Sequence, residues 1–365
     1  MENTKNKPVA KIGFGLPYDT PHDATGYCAA ELAILEANER DDLPFFLELK
    51  LVNDERNVDR ALVVSKEFCE DPAAVGMLGP LNSPMSHASQ HVYHQYGMAQ
   101  ISSEPISPGL TEKGYENYFR LLCKGDVYAR LQARVAVEYI GAKRIVVIND
   151  GDPNRYDPLG IAFFDEAKKL GCEPLLMWKF GDSDRQLNFD PLVETVKSQN
   201  PDLVYFAVYW NPSHIIAHQL RYKKCSGVFL GTDALKHIPY LEVYGLDPEP
   251  PYHTFNGVDV RLAPSCREFF KKFAVLYPHT LVNLQYAPEG YDMTNMMIEA
   301  IRRAGVIDRT AVLHEIQKMG QNGFDGLIGK IRFDENGDLI DPEVGLYRCV
   351  ESLRHYIGPV KELLK

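Results

Sequence analysis

The sequence has no cluster of lysines or arginines. Its formal net charge is −11, and a nucleic-acid groove needs grouped basic side chains to meet phosphates, so no nucleic-acid partner is expected. The doublets Lys223-Lys224 and Lys271-Lys272 stand alone and fit solvated helix faces. No apolar run reaches the roughly 20 residues of a membrane-spanning helix, and no direct membrane insertion is expected. Residues 1–8 are polar and charged, unlike a secretory leader. Two compartments are therefore expected: the periplasm or extracellular space after leader removal, or the cytoplasm. CxxC is missing, and with it any thioredoxin-like motif or cysteine-pair zinc site. The seven cysteines, Cys28, Cys69, Cys123, Cys172, Cys225, Cys266 and Cys349, are scattered and odd in number. Buried free thiols are expected of them, not a disulfide framework.

Signatures of common chemistries are missing too. GxxxxGK[ST], GxSxG and HExxH do not occur, which removes the usual nucleotide, acyl-transfer and metalloprotease readings. Gly13-Phe14-Gly15 opens like a dinucleotide loop, but Tyr18 stands where the third glycine belongs. Asp334-Glu335-Asn336-Gly337-Asp338 has Leu339 and Gly345 where a calcium loop needs its turn glycine and bidentate glutamate. A tight turn is expected there. His87, His91 and His94 share one helical face, yet Ala88, Val92 and Tyr96 mark the neighbouring face as buried. The histidines are expected to be solvated, not metal ligands. Ser83 near His87 is the one nucleophile–base pair on offer, and its helical spacing suits a structural role. No catalytic residue, cofactor or metal is expected. The chain does not read as an enzyme.

What the sequence does hold is an ordinary globular balance, 45% hydrophobic and 24% charged over 365 residues. That length is long for one core and predicts two α/β lobes. Strands are expected at 10–16, 46–52, 74–78 and 98–102, with helices at 26–40 and 57–69. Ala29, Leu32, Ala33 and Leu35 supply the apolar face of the first helix. The rhythm restarts after Cys123, with strands at 144–149, 203–208 and 228–231 and helices at 158–170, 191–199 and 212–222. Strands separated by helices call for right-handed crossovers and parallel sheets. A proline-rich stretch at 247–251 fits a crossing between lobes. Beyond it come a strand at 255–260, helices at 266–276, 288–305 and 310–319, and strands at 329–333 and 345–350. The expected lobes are 1–121 with 253–328, and 124–250 with 331–357.

Ligands of open α/β sheets bind at the carboxyl ends of the strands. After 74–78 comes Gly79-Pro80-Leu81-Asn82-Ser83, with Ser83 opening a helix. A hydroxyl beside free helix N–H groups can seat a carboxylate. After 98–102 come Ser103, Glu104, Pro105, Ile106 and Ser107. In the second half Tyr156 follows 144–149, Tyr209 and Trp210 follow 203–208, and Asp233 follows 228–231. Singly, each of these fits a turn. Together they offer donors, aromatic walls and a carboxylate from both lobes.

On these residues the chain resembles the branched-chain amino-acid-binding proteins of ABC transporters, over 9–350. The most specific stretch is GPLNSPMSHASQHVYHQYGMAQISSEPISPGLTEKGYENYFRL, beginning at Gly79. IVVINDGDPNRYDPLG, VYFAVYWNP, FLGTDA and FDENGDL are similar as well. The resemblance implies the type I periplasmic binding protein fold: two Rossmann-like α/β lobes with parallel-rich sheets, three hinge crossings, and the ligand clamped between. It implies that Ser83 and the loop around Ser103 and Ser107 hold the ligand carboxylate. Tyr156 and Tyr209 would line the ligand, Asp233 would pair with its ammonium, and Tyr18 or His22 would add a wall. The sequence departs from the pattern at Ile106, where a head-group threonine is usual, and at Glu104, where a small residue is usual. An added carboxylate in a partly dry site needs a cation or a proton. That leaves open a ligand with extra positive charge, or one that is not a plain α-amino acid.

The function implied is a solute-binding protein that captures a small amino-acid-like ligand by hinge closure. ABC-type uptake would make a permease its protein partner. The alternative is a ligand-sensing regulatory domain of the same fold, acting on a partner protein.

Overall fold

The computed structural model describes residues 7–18, 21–40, 42–154, 156–179, 189–236, 249–257, 259–351 and 353–364; for 21–23, 210, 211 and 281–283 it describes the backbone alone. Along the chain run β1 (Val9–Gly15), α1 (Pro21–Glu39), β2 (Phe46–Val52), α2 (Val58–Glu70), β3 (Ala74–Leu78), α3 (Ser83–Gln95), β4 (Ala99–Ser102) and β5 (Tyr118–Arg120). Next come α4 (Gly125–Arg134), β6 (Arg144–Asn149), α5 (Asp157–Lys169), β7 (Glu173–Lys179), α6 (Asp190–Gln199), β8 (Leu203–Ala207), α7 (Trp210–Tyr222), β9 (Val228–Gly231) and β10 (Tyr252–Asn256). The last are α8 (Cys266–Leu276), α9 (Ala287–Ala304), α10 (Arg309–Asn322), β11 (Phe324–Gly326), β12 (Gly329–Ile331), β13 (Val344–Val350), β14 (Leu353–Pro359) and α11 (Val360–Leu363).

These elements form two compact units, Met1–Leu122 with Asp259–Asp341, and Cys123–Val258 with Pro342–Lys365. The first unit has a five-stranded sheet in the order β2-β1-β3-β4-β5. Every pairing in it is parallel. β3 is buried along its whole length, as a strand covered on both faces must be. Ala30 and Ala33 of α1, Met293 and Ile301 of α9 and Val312 of α10 pack on one face. Val64 and Phe68 of α2 and Val92 and Tyr93 of α3 pack in a second cluster with Met77 of β3. Leu35, expected on the apolar face of α1, is exposed, and Ile34 and Ala37 are buried instead.

The second unit has a seven-stranded sheet in the order β14-β13-β10-β9-β8-β6-β7. It is parallel from β10 to β7, and β13 and β14 add antiparallel. Leu192 and Val196 of α6 and Ile216 and Leu220 of α7 pack against Val146, Val204 and Phe229 of the sheet.

The division departs from the expected lobes in two places. The strand expected at 255–260, in the first lobe, is Tyr252–Asn256 and lies in the second unit. Its ladder decides this: β10 pairs with β9 on one side and β13 on the other. The expected crossing at 247–251 lies partly outside the described residues, and 249–251 leads directly into β10. Residues 331–341, expected in the second lobe, lie in the first unit. Ile331 and Phe333 are buried in its core, and Asp338 pairs with Arg120 there. All seven cysteines are free and buried. Among the described residues no helix is long and apolar enough to cross a membrane.

Candidate functional site

Each of the two large sheets has one place where the strand order reverses. β1 lies between β2 and β3, and β6 lies between β7 and β8. Crevices beyond the carboxyl ends of the strands at such points are where open α/β sheets take ligands.

In the first unit β3 runs through a cis Gly79–Pro80 peptide to Ser83, the first residue of α3. The loop is tied from several sides. Gly79 N–H donates to the Ile101 carbonyl at 2.7 Å, and Gln100 Nε2 donates to the Gly79 carbonyl at 2.9 Å. The hydroxyls of Ser86 and Ser102 both donate to the Pro80 carbonyl, at 2.8 and 2.9 Å. Ser83 is buried, and its Oγ accepts the Ser107 N–H at 3.4 Å. That leaves the Ser83 hydroxyl proton free to serve an acceptor. Ser103 and Ser107 are buried, and Glu104 between them is half-buried.

The loop carrying these serines rests on Arg120, which is fully buried at the end of β5. Its guanidinium donates to the carbonyls of Ser107 at 2.9 Å and Pro105 at 3.3 Å, to Thr111 Oγ1 at 2.9 Å and to Asp338 Oδ1 at 3.0 Å. Thr111 in turn donates to Asp338 Oδ2 at 2.9 Å. The acidic turn 334–338 is thus a structural turn. Asp334 Oδ1 accepts the N–H groups of Asn336 and Asp338, each at 2.9 Å.

Of the three histidines, His91 and His94 are exposed. His94 also stacks on Tyr115 at 4.3 Å. His87 is half-buried, with Nε2 2.8 Å from Ser107 Oγ. His87 therefore pairs with Ser107, not with Ser83 as its helical spacing suggests. No group of three or more His, Cys, Asp or Glu among the described residues is arranged to hold a metal ion.

In the second unit Tyr156, Tyr209 and Asp233 follow β6, β8 and β9, which are neighbours in the sheet. Asn149 shapes the first of these loops, accepting the Gly151 N–H at 2.8 Å and donating to Asp157 Oδ1 at 2.9 Å. Tyr156 is buried just before α5, while Tyr209, before α7, and Asp233, at the start of a short 3-10 helix, are half-buried.

A buried polar chain lies within the same unit. Tyr205 donates to Gln132 Oε1 at 2.5 Å, Gln132 Nε2 donates to Thr254 Oγ1 at 2.7 Å, and Thr254 donates to the Tyr128 hydroxyl at 2.6 Å. Burial first, and then the charge of Asp233, hold the Tyr128 phenol well above its ordinary range. Tyr205 is raised by burial and by Tyr156. Tyr128, Gln132 and Thr254 were not picked out from the sequence. The available signal was Tyr128 and Gln132 one turn apart in a helix and a threonine inside a strand.

Tyr18 is exposed, with its ring edge-on to Tyr27 at 5.2 Å. The side chains of His22 and Trp210 lie outside the described residues. A groove lined by Leu62, Val63, Lys66, His91, Val92, Gln95 and Tyr96 runs between α2 and α3. It is on a helical face, not at the strand ends, and takes no part in this arrangement.

The sequence profile of the family described as "Receptor family ligand binding region" matches residues 25–351. The chain belongs to this family. Its fold is that of the type I periplasmic binding proteins. The leucine-binding protein LivK of Thermotoga maritima superposes with a TM-score of 0.83 at 22% identity, over 96% of this chain and 98% of that one. The Leu/Ile/Val-binding protein BraC3 of Rhizobium johnstonii is 22% identical over 273 residues, 74% of this chain and 72% of its own length. The Leu/Ile/Val-binding protein homolog 2 of Brucella abortus is 23% identical over 340 residues, 90% and 86% of the two chains. The matched region is described as ligand-binding, and these relatives are named as binding proteins, not as enzymes.

Proposed function

We propose that this chain is a solute-binding protein that captures a small amino-acid-like ligand for ABC-type uptake, its two units closing on the ligand. One observation carries the reading. Both units present polar and aromatic residues at the carboxyl ends of parallel strands beside the point where strand order reverses. Ser83, Ser107 and the start of α3 suit a carboxylate, and Ser103 adds a hydroxyl. Asp233 suits an ammonium, and Tyr156 and Tyr209 suit an apolar side chain. Glu104 favours ligands with an additional positive charge or donor. The names of the relatives, leucine-binding and Leu/Ile/Val-binding proteins, support an amino-acid ligand, and a permease partner follows from the same reading.

A thermal-shift screen of leucine, isoleucine, valine, lysine, arginine and aromatic acids tests this. A ligand at about 100 times its Kd stabilises by about 2.7 kcal/mol, so a hit is read directly as a raised melting temperature. Solution scattering on the hit should then show a smaller radius of gyration than the ligand-free protein. No shift with any amino acid would overturn the assignment.

A further inference from the structure

We infer that His87 is a positioning residue for ligand capture: it sets the direction of the Ser107 hydroxyl proton and thereby couples carboxylate binding to proton uptake. The inference rests on the proposed placing of Ser107 at the ligand carboxylate. Every other polar group of Ser107 is already tied. Its N–H donates to Ser83 Oγ at 3.4 Å, and its carbonyl accepts from Arg120 at 2.9 Å. The hydroxyl alone can adjust, and it lies 2.8 Å from His87 Nε2.

A hydroxyl has one proton and two lone pairs, whereas an ionised carboxylate only accepts. When Nε2 is bare, Ser107 donates to it and turns lone pairs toward any anion. When Nε2 carries hydrogen, Ser107 accepts from the ring and its own proton is free for the carboxylate. Binding of a carboxylate therefore selects the Nε2–H state. The imidazolium always has that hydrogen, and its charge attracts the anion as well. Neutral histidine reaches the state only as one of its two tautomers.

Gly109 packs beside the ring without a side chain, and a carbon added there would lie 3.3 Å from His87 Cε1. The charged groups around it come from several elements. Lys113, beyond the 3-10 helix Pro108–Leu110, donates to the His87 carbonyl at 3.3 Å. Glu104 and Glu112 flank that segment in the chain. Lys66 of α2 lines a groove with His91, one turn along α3, and β4 carries no ionisable side chain.

Calorimetry with L-leucine from about pH 5.5 to about pH 8.5, in buffers of different ionisation heat, reads the coupling. Wild-type affinity should fall about tenfold as pH rises, with net proton uptake on binding. His87→Phe should bind leucine about five- to tenfold more weakly at the acid end and lose the slope. His87→Gln, whose amide can still donate to Ser107, should recover most of that affinity without the slope. His87→Phe with wild-type affinity and slope, alongside a weakened Ser107→Ala, overturns the role of His87. Ser107→Ala that binds like wild type overturns the placing of Ser107 instead. A ligand-free measurement stands beside these. In nitrogen-labelled histidine spectra, the titration midpoint of His87 should move in Ser107→Ala, and an unmoved midpoint overturns the coupling even in a protein that ignores leucine.

Discussion

Arg120 and Asp338 are 218 residues apart in the chain and meet at 3.0 Å inside the first unit, Nε to Oδ1. The remaining donors of the same guanidinium hold the carbonyls of Pro105 and Ser107 and the hydroxyl of Thr111. A turn near the end of the chain is thereby locked to the loop that carries the candidate carboxylate seat. Removing one partner of a buried pair leaves the other uncompensated, at a cost of about 3–5 kcal/mol. Asp338→Ala should lower the unfolding free energy by about that much in a denaturant titration. Arg120→Lys keeps the charge but loses the planar fork, and should weaken ligand binding along with stability. A loss under about 1 kcal/mol in Asp338→Ala would place the pair with weak, solvent-compensated ones.

Asp233 is the candidate partner of a ligand ammonium. A charge-assisted hydrogen bond contributes about 1.5–3 kcal/mol, and each 1.4 kcal/mol is about tenfold in affinity. Asp233→Asn should weaken a zwitterionic ligand at least about tenfold by calorimetry and leave the ligand-free protein folded. Unchanged affinity would point to a ligand without an amine, or to Glu104 as its partner.

Gly290 of α9 crosses α1 at Gly26. A side-chain carbon on Gly290 would lie 2.7 Å from the Gly26 carbonyl oxygen and 2.9 Å from its Cα. Both obstacles are backbone, so the helices must move apart. Gly290→Ala should destabilise the protein by about 1–3 kcal/mol, seen as a lowered denaturation midpoint. A variant as stable as wild type would show that this helix pair can slide.

Asp292, on the same helix, is buried and accepts the N–H groups of Leu327 and Ile328 at 2.8 and 2.9 Å. Burial raises its carboxyl from 3.8 to about 7, against the pull of those two hydrogen bonds. The folded protein thus holds this proton more tightly than the unfolded chain, and the contribution of this group to stability is lost as pH rises from about 4 to about 7. Denaturant titrations across that range should show this decline, which Asp292→Asn should flatten. Asn replaces one acceptor with a donor facing an N–H group, so the variant should also be less stable at low pH, by about 1–3 kcal/mol. An identical pH slope in wild type and Asp292→Asn would assign the decline to other groups.

The alternation of strand and helix was legible because periodicity and turn chemistry are local. The strands at 46–52, 74–78, 144–149 and 228–231 coincide with the observed β2, β3, β6 and β9. The candidate site could be placed at strand ends for the same reason, since parallel α/β topology puts its loops there. Six elements were not legible. β5, β11 and α11 have only three or four residues, β7 and β14 are sheet edges with partly exposed side chains, and α4 turns Tyr128 and Gln132 into a polar interior. Burial of polar groups breaks the apolar periodicity by which a helix is read. The boundary between the units was decided by the ladder of β10; the first helix begins at Pro21, and Gly26, expected as its start, is a contact with α9 inside it. The pairing of His87 with Ser107, of Arg120 with Asp338, and of Gln132 with Thr254 likewise belongs to the tertiary structure. A buried donor must find an acceptor wherever the folded chain brings one, and no local pattern says which residue, 20 or 218 positions away, that will be.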